Sequence, residues 1–166
     1  MPMLRRTAAT ALSAAALMPV LLRTASAQTA AGGNAQLLPR ILAASAFSLA
    51  TSDLALQKAQ APAVKTFAQF EANEQRAVLQ AMKIAGIPMP AQVEMDPQKM
   101  QMMQQLQTLE GTQFDRMYLQ GQTVGHQELL QLFQTLLTSG SQSEQVIATL
   151  AVASIQQHIA MLQAMA

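Results

Sequence analysis

Ionisable side chains on otherwise apolar helical stripes are the residues here with types and spacing suited to chemistry. At about 100° per residue, Glu71 falls among Val64, Phe67, Val78 and Met82, with Glu74 one turn on. His158 falls among Ile147, Ala151, Leu162 and Met165. His126 extends the stripe of Leu129, Phe133 and Leu137, together with Asp115 and Gln122, and Tyr118 lies at its edge. Asp53 falls on a stripe of Leu38, Leu42, Ala46, Leu49 and Leu56. An unpaired charge costs several kcal/mol to bury, so these groups are expected to meet one another, water or a ligand. Carboxylate with imidazole suits iron, manganese or zinc. The favoured reading is structural, a hydrogen-bonded network that fixes helix register, with metal binding the alternative. The Glu-x-x-His spacing of di-metal helical bundles is absent, because Thr123 and Ile155 stand three residues before the two histidines.

A second cluster, Met95, Met100, Met102 and Met103, offers thioethers, soft ligands that hold Cu(I). The plainer role is packing, since Met fills irregular gaps. There is no cysteine, which excludes a thiol nucleophile and cysteine-ligated metal sites. No serine nucleophile beside a base and no Gly-rich phosphate loop occurs. Nothing in the sequence names a reaction or an organic cofactor. A metal ion, divalent at the Glu/His cluster or Cu(I) at the Met cluster, is the one kind of cofactor the residues suggest.

The elements that must position these groups are helices. Ala, Leu, Gln, Met and Lys dominate, and no strand alternation or hairpin turn appears. Breaks at Pro62, Gly86, Pro88, Pro90, Gly111 and Gly140 predict long helices over about 36–60, 62–85, 112–138 and 142–165. Asp96-Pro97 caps a shorter helix over about 97–109. The expected fold is all-α, a four-helix bundle with a long crossover carrying the extra helix. The crossover is favoured because parallel second and third long helices bring Asp53, Glu71 and His158 to one level, with His126 a few residues away.

Residues 1–27 read as a cleavable Sec leader: Arg5-Arg6, an apolar run from Thr7 to Leu22, then Ala25-Ser26-Ala27. A linker over 28–36, including Gly32-Gly33-Asn34, is expected before a bundle domain at 37–166. Without Arg5, Arg6 and Arg23 the basic residues fall from 10 to seven against 9 acidic ones, a formal −2. That balance gives no electrostatic case for nucleic acid. No transmembrane segment is expected after the leader, and a periplasmic location is. A protein partner or a second copy stays open, because a Gln-rich, charge-poor surface specifies neither.

The chain also resembles a known bacterial family. The resemblance rests on Val64-Lys65-Thr66-Phe67-Ala68 running into Phe70-Glu71-Ala72-Asn73-Glu74-Gln75. It continues through Phe114-Asp115-Arg116-Met117-Tyr118, Gly125-His126-Gln127-Glu128-Leu129-Leu130 and Ile155-Gln156-Gln157-His158-Ile159. In this order and spacing they are similar to the exported domain-of-unknown-function family numbered 4142. Many of its members carry Asp-His where this chain has Glu74-Gln75. The resemblance implies a ferritin-like helical bundle, export and association with the periplasm or outer membrane. It implies no established activity.

Overall fold

The computed structural model describes residues 21–166, with side-chain surroundings from residue 37 onward. Five helices account for its regular structure: α1 Leu21–Lys58, α2 Pro62–Ile84, α3 Pro97–Thr108, α4 Gly111–Ser139 and α5 Gln142–Met165. No strand occurs among the described residues. Most of the expected leader falls on residues 1–20, outside the described residues.

Local chemistry sets most ends. Pro62 and Pro97 occupy first-turn positions, where a missing N–H costs nothing. Asp96 caps α3 by accepting the Lys99 N–H at 3.0 Å. Ser141 and Glu144 form a reciprocal capping box at the start of α5. Gly86, at φ +70°, takes the left-handed turn that follows α2. The first helix differs from expectation: α1 runs through Gly32-Gly33-Asn34, where a linker was predicted. Glycine lowers helix propensity by about 1 kcal/mol but does not forbid a helix.

The contacts fix the topology. Ser48, Ser52 and Gln60 on or just after α1 bond Gln122, Tyr118 and Asp115 on α4. Numbers rise on one helix as they fall on the other, so α1 and α4 are antiparallel. The tight 59–61 connection makes α1 and α2 antiparallel, and the turn at Gly140-Ser141 does the same for α4 and α5. Helices α2 and α4 therefore run parallel, and residues 85–110 form the crossover that joins them. This is the ferritin-like arrangement. Helix α3 lies across α1 and α4. Its approach depends on Gly121, where a Cβ would stand 2.7 Å from Met102 Sδ.

The core divides into two apolar halves. One holds Ile41, Met82, Leu132, Phe133 and Ile147, and the other holds Val64, Phe67, Leu106, Phe114 and Leu162. Between them lies a buried polar layer to which all four long helices contribute: Ser48, Thr51 and Ser52, then Glu71 and Gln75, then Gln122 and His126, then His158.

Helix α5 corrects one expectation. By length and composition alone it is apolar enough to cross a membrane, with a mean hydropathy of 1.3 over its most apolar window. A single charge, Glu144, interrupts it. In this fold its Ile147, Ala151, Ile155 and Leu162 pack inward and carry His158 with them.

Candidate functional site

Glu71 is fully buried at the centre of the polar layer. Its Oε2 lies 2.7 Å from His158 Nδ1 and 3.0 Å from His126 Nε2. Those two nitrogens are 3.2 Å apart. The other oxygen, Oε1, accepts from Ser48 at 2.5 Å and from the Gln75 amide at 2.9 Å. Four helices thus meet on one carboxyl group.

The outer nitrogens of the two rings decide what the inner ones can do. His126 Nδ1 is 2.8 Å from the Gln122 carbonyl oxygen, which can only accept, so Nδ1 carries a hydrogen. His158 Nε2 lies 3.3 Å from Glu74 Oε2, an ion-pair contact whose charge favours the tautomer with the hydrogen on that nitrogen. In neutral imidazoles the remaining nitrogens, His126 Nε2 and His158 Nδ1, are lone-pair bearers. Both face Glu71 Oε2. Three electron-rich atoms therefore converge, and positive charge must lie among them, as protons or as a cation.

With protons, His158 titrates above its ordinary range. Burial works to lower its pKa, but the hydrogen bond to Glu71 and the charges of Glu71 and Glu74 outweigh it. Glu71 is driven well below the usual carboxylate range. Burial raises it, and the hydrogen bonds from His126, His158 and Ser48, with the charge of His126, lower it by more. Phe67 closes the layer on one side, its ring centroid 5.2 Å from that of His158 and 5.9 Å from that of His126.

A cation fits the same three atoms. Ligands at right angles around an ion, each about 2.1 Å from it, are about 3.0 Å apart. The observed separations are 2.7, 3.0 and 3.2 Å. Metal-bound histidines donate their other N–H to a carbonyl or carboxylate, as Gln122 and Glu74 permit here. Gln75 Oε1, a buried acceptor without a partner among the described residues, stands on a residue whose amide already bonds Glu71. Orphan acceptors of this kind suit a bound water or ion.

The remaining candidates separate. Glu74 joins at the edge: it accepts from the Ser154 hydroxyl and faces His158 while remaining partly exposed. Tyr118 is buried but bonds Ser52 at 2.9 Å, so it reaches Glu71 only through Ser52, Gln122 and Ser48. Burial, reinforced by the Glu71 charge, pushes its phenol up, and the Ser52 bond opposes this only in part. Asp115 points inward, yet it accepts the backbone N–H groups of Gln60 and Ala61 at 3.0 and 2.8 Å and so ties the start of α2 to α4. It lies 11 residues before His126, about 16 Å along the axis. Asp53 is not in the layer. It pairs with Arg76 at 2.6 Å on the surface, both side chains being substantially exposed.

On α1 the inward face is the one bearing Ala44, Ser45, Ser48, Ser52 and Ala55, rotated from the leucine stripe that contains Asp53. Gln75, which bonds the Glu71 carboxylate, was not among the expected site residues, and neither was Ser48. A run of small residues on a helix flanked by two others was its only sign. Of the methionines, Met102 packs against Gly121 and Met100 is exposed, while Met95 and Met103 are half-buried.

The family model that matches the chain, over residues 21–165, is described as a domain of unknown function (DUF4142). No curated protein and no solved structure matches it.

Proposed function

Because the chain belongs to the DUF4142 family, whose description assigns no activity, we propose a function from the site itself: the protein binds a single divalent transition-metal ion through Glu71 Oε2, His126 Nε2 and His158 Nδ1. The observation that carries this is the direction of the lone pairs. His126 Nδ1 is committed to the Gln122 carbonyl, His158 Nε2 faces the Glu74 carboxylate at 3.3 Å, and both inner nitrogens meet the same carboxylate oxygen. Two imidazoles and a carboxylate suit Fe(II), Mn(II) or Zn(II). When bound, the ion would supply Lewis acidity at its open positions. This chain's own residues orient the ligands: the Gln122 carbonyl fixes the His126 tautomer, the Glu74 charge favours the matching one of His158, and Ser48 and Gln75 hold Glu71 by its other oxygen.

The test is elemental analysis of untagged protein, followed by Mn(II) and Zn(II) titration of the chelator-treated form. The expected result is one ion per chain, lost in both Glu71→Gln and His126→Ala. Absence of stoichiometric binding in a wild type that these substitutions nonetheless destabilise returns the layer to its second reading, a proton-balanced network that locks helix register. The 3.2 Å contact between His126 Nε2 and His158 Nδ1, a hydrogen bond that needs a proton on one of them, favours that second reading.

The same proposal places the protein outside the cytoplasm, in the periplasm. Arg5-Arg6, the apolar run after them and Ala25-Ser26-Ala27 support it. Cell fractionation and N-terminal sequencing test it, with Gln28 expected as the first residue of the exported form. A product still beginning at Met1 in the cytoplasm refutes the placement.

A further inference from the structure

The ligand atoms of the triad are closed off from water, so an ion needs an opening between helices to reach them. The side chains of Glu71 and His126 are 0% and 1% exposed, and that of His158 is 8% exposed. Ser48, Gln75 and Gln122, which bond the first two, are buried as well. Glu74 differs: it contacts the triad through His158 Nε2, and 19% of its side chain is open to solvent. It also lines a groove between α2 and α5, where the small side chains of Ala77, Ala81 and Ala151 leave the helices apart. Of the residues lining that groove only Glu74 is charged. Apolar walls around one carboxylate focus its field and concentrate cations. The Ser154 hydroxyl donates to Glu74 and holds it in place without cancelling its charge, and a neutral His158 leaves that charge intact too. The opposite face of the bundle, between α1 and α4, is covered by α3. Its cleft already holds a cation, the Lys99 ammonium, 2.7 Å from Asp96 and 2.7 Å from Glu128.

We propose that the groove between α2 and α5 is the way in and out for the metal ion, with Glu74 as the carboxylate that receives it and the His158 ring as the gate that turns to pass it to Glu71 and His126. The inference rests on the metal reading above and adds the route. The ring is placed for this: Nδ1 lies 2.7 Å from Glu71 and Nε2 3.3 Å from Glu74, so one imidazole spans the buried carboxylate and the exposed one. Glu74 thus has two duties, attracting the ion from the groove and orienting His158. Ala77, exposed on the groove wall, bears on the route alone.

The experiment uses Co(II) as the probe, because its visible absorption reports coordination. Stopped-flow mixing follows its uptake by the chelator-treated protein, excess EDTA follows its release, and equilibrium titration gives Kd. Ala77→Leu narrows the groove and is expected to slow uptake and release by the same factor, with Kd and helical circular dichroism unchanged. Glu74→Gln is expected to slow uptake about tenfold and to flatten its dependence on ionic strength. Glu128→Gln, the matching change in the cleft under α3, is expected to leave the uptake rate as it is. Uptake indifferent to Ala77→Leu or to Glu74→Gln, or slowed by Glu128→Gln instead, overturns the route and leaves the metal site standing. A wild type that binds no Co(II) at equilibrium overturns the metal reading, and the route with it.

Discussion

At Glu71, a carboxylate with no exposed surface holds groups from all four long helices. Removing its charge leaves two rings whose inner nitrogens have only each other as partners. Glu71→Gln is expected to cost about 3–5 kcal/mol, read from urea unfolding of the chelator-treated protein. The titration of the same groups sets a pH window. Glu71 is lowered in the folded state, so its contribution is full above the unfolded value near 4.5 and is lost as pH falls toward its folded value. His158 is raised, so its contribution is full below about 6.5 and is lost as pH climbs through its folded value. Without metal, thermal stability is expected to be highest between about pH 4.5 and 6.5. A scan of Tm against pH that instead keeps rising from neutrality to pH 9 contradicts this assignment. Glu71, His126 and His158 were readable in sequence because an ionisable group stands out on an apolar stripe. Ser48 was not, because a serine on a helix signals nothing until its neighbours are known. Asp53 misled because leucines outweigh the alanines and serines that let α1 approach two neighbours closely.

Helix ends were well marked in the sequence wherever proline, glycine or a capping side chain stood at them, as at Pro62, Asp96-Pro97 and Ser141. The start of α1 was not, because Gly32-Gly33 weakens a helix without stopping it. Two glycines allow close approaches of different kinds. At Gly140 a Cβ would meet the Leu136 carbonyl oxygen at 2.7 Å and Glu144 Cβ at 2.9 Å, both rigidly placed. At Gly121 it would meet the flexible end of Met102. Gly140→Ala is expected to cost about 1–3 kcal/mol and Gly121→Ala less, since thioether rotation relieves the clash. Parallel chemical denaturation of the two variants checks the order. Asp115 acts at this scale too. Asp115→Ala leaves the N–H groups of Gln60 and Ala61 without their acceptor, and about 2–3 kcal/mol of stability is expected to be lost, with metal binding retained.

For the molecule as a whole, the heights of Glu71 and His158 along their helices pointed to the parallel pairing of α2 and α4, although Asp53, the third charge in that argument, lies on the surface with Arg76. The membrane-like apolarity of α5 was overlooked, since its alanines read as ordinary helix formers. The polar layer joins all four long helices, so an ion bound there stabilises the bundle as a unit. A ligand at about a hundred times its dissociation constant adds about 2.7 kcal/mol. Zn(II) or Mn(II) at that excess is therefore expected to raise Tm in one cooperative transition, and chelator to reverse it. A two-step melt in the presence of metal speaks against a layer shared by all the helices.

The crossover also dictates an order of events. His126 is 55 residues and His158 87 residues from the carboxylate they embrace. A chain delivered with its N-terminus leading presents the first helical hairpin, with Glu71 on it, long before either imidazole emerges. Until then Glu71 has only Ser48 and Gln75, from the hairpin itself, as partners. The final quarter of the polypeptide supplies both imidazoles, so the polar layer is complete only when the whole chain is in place.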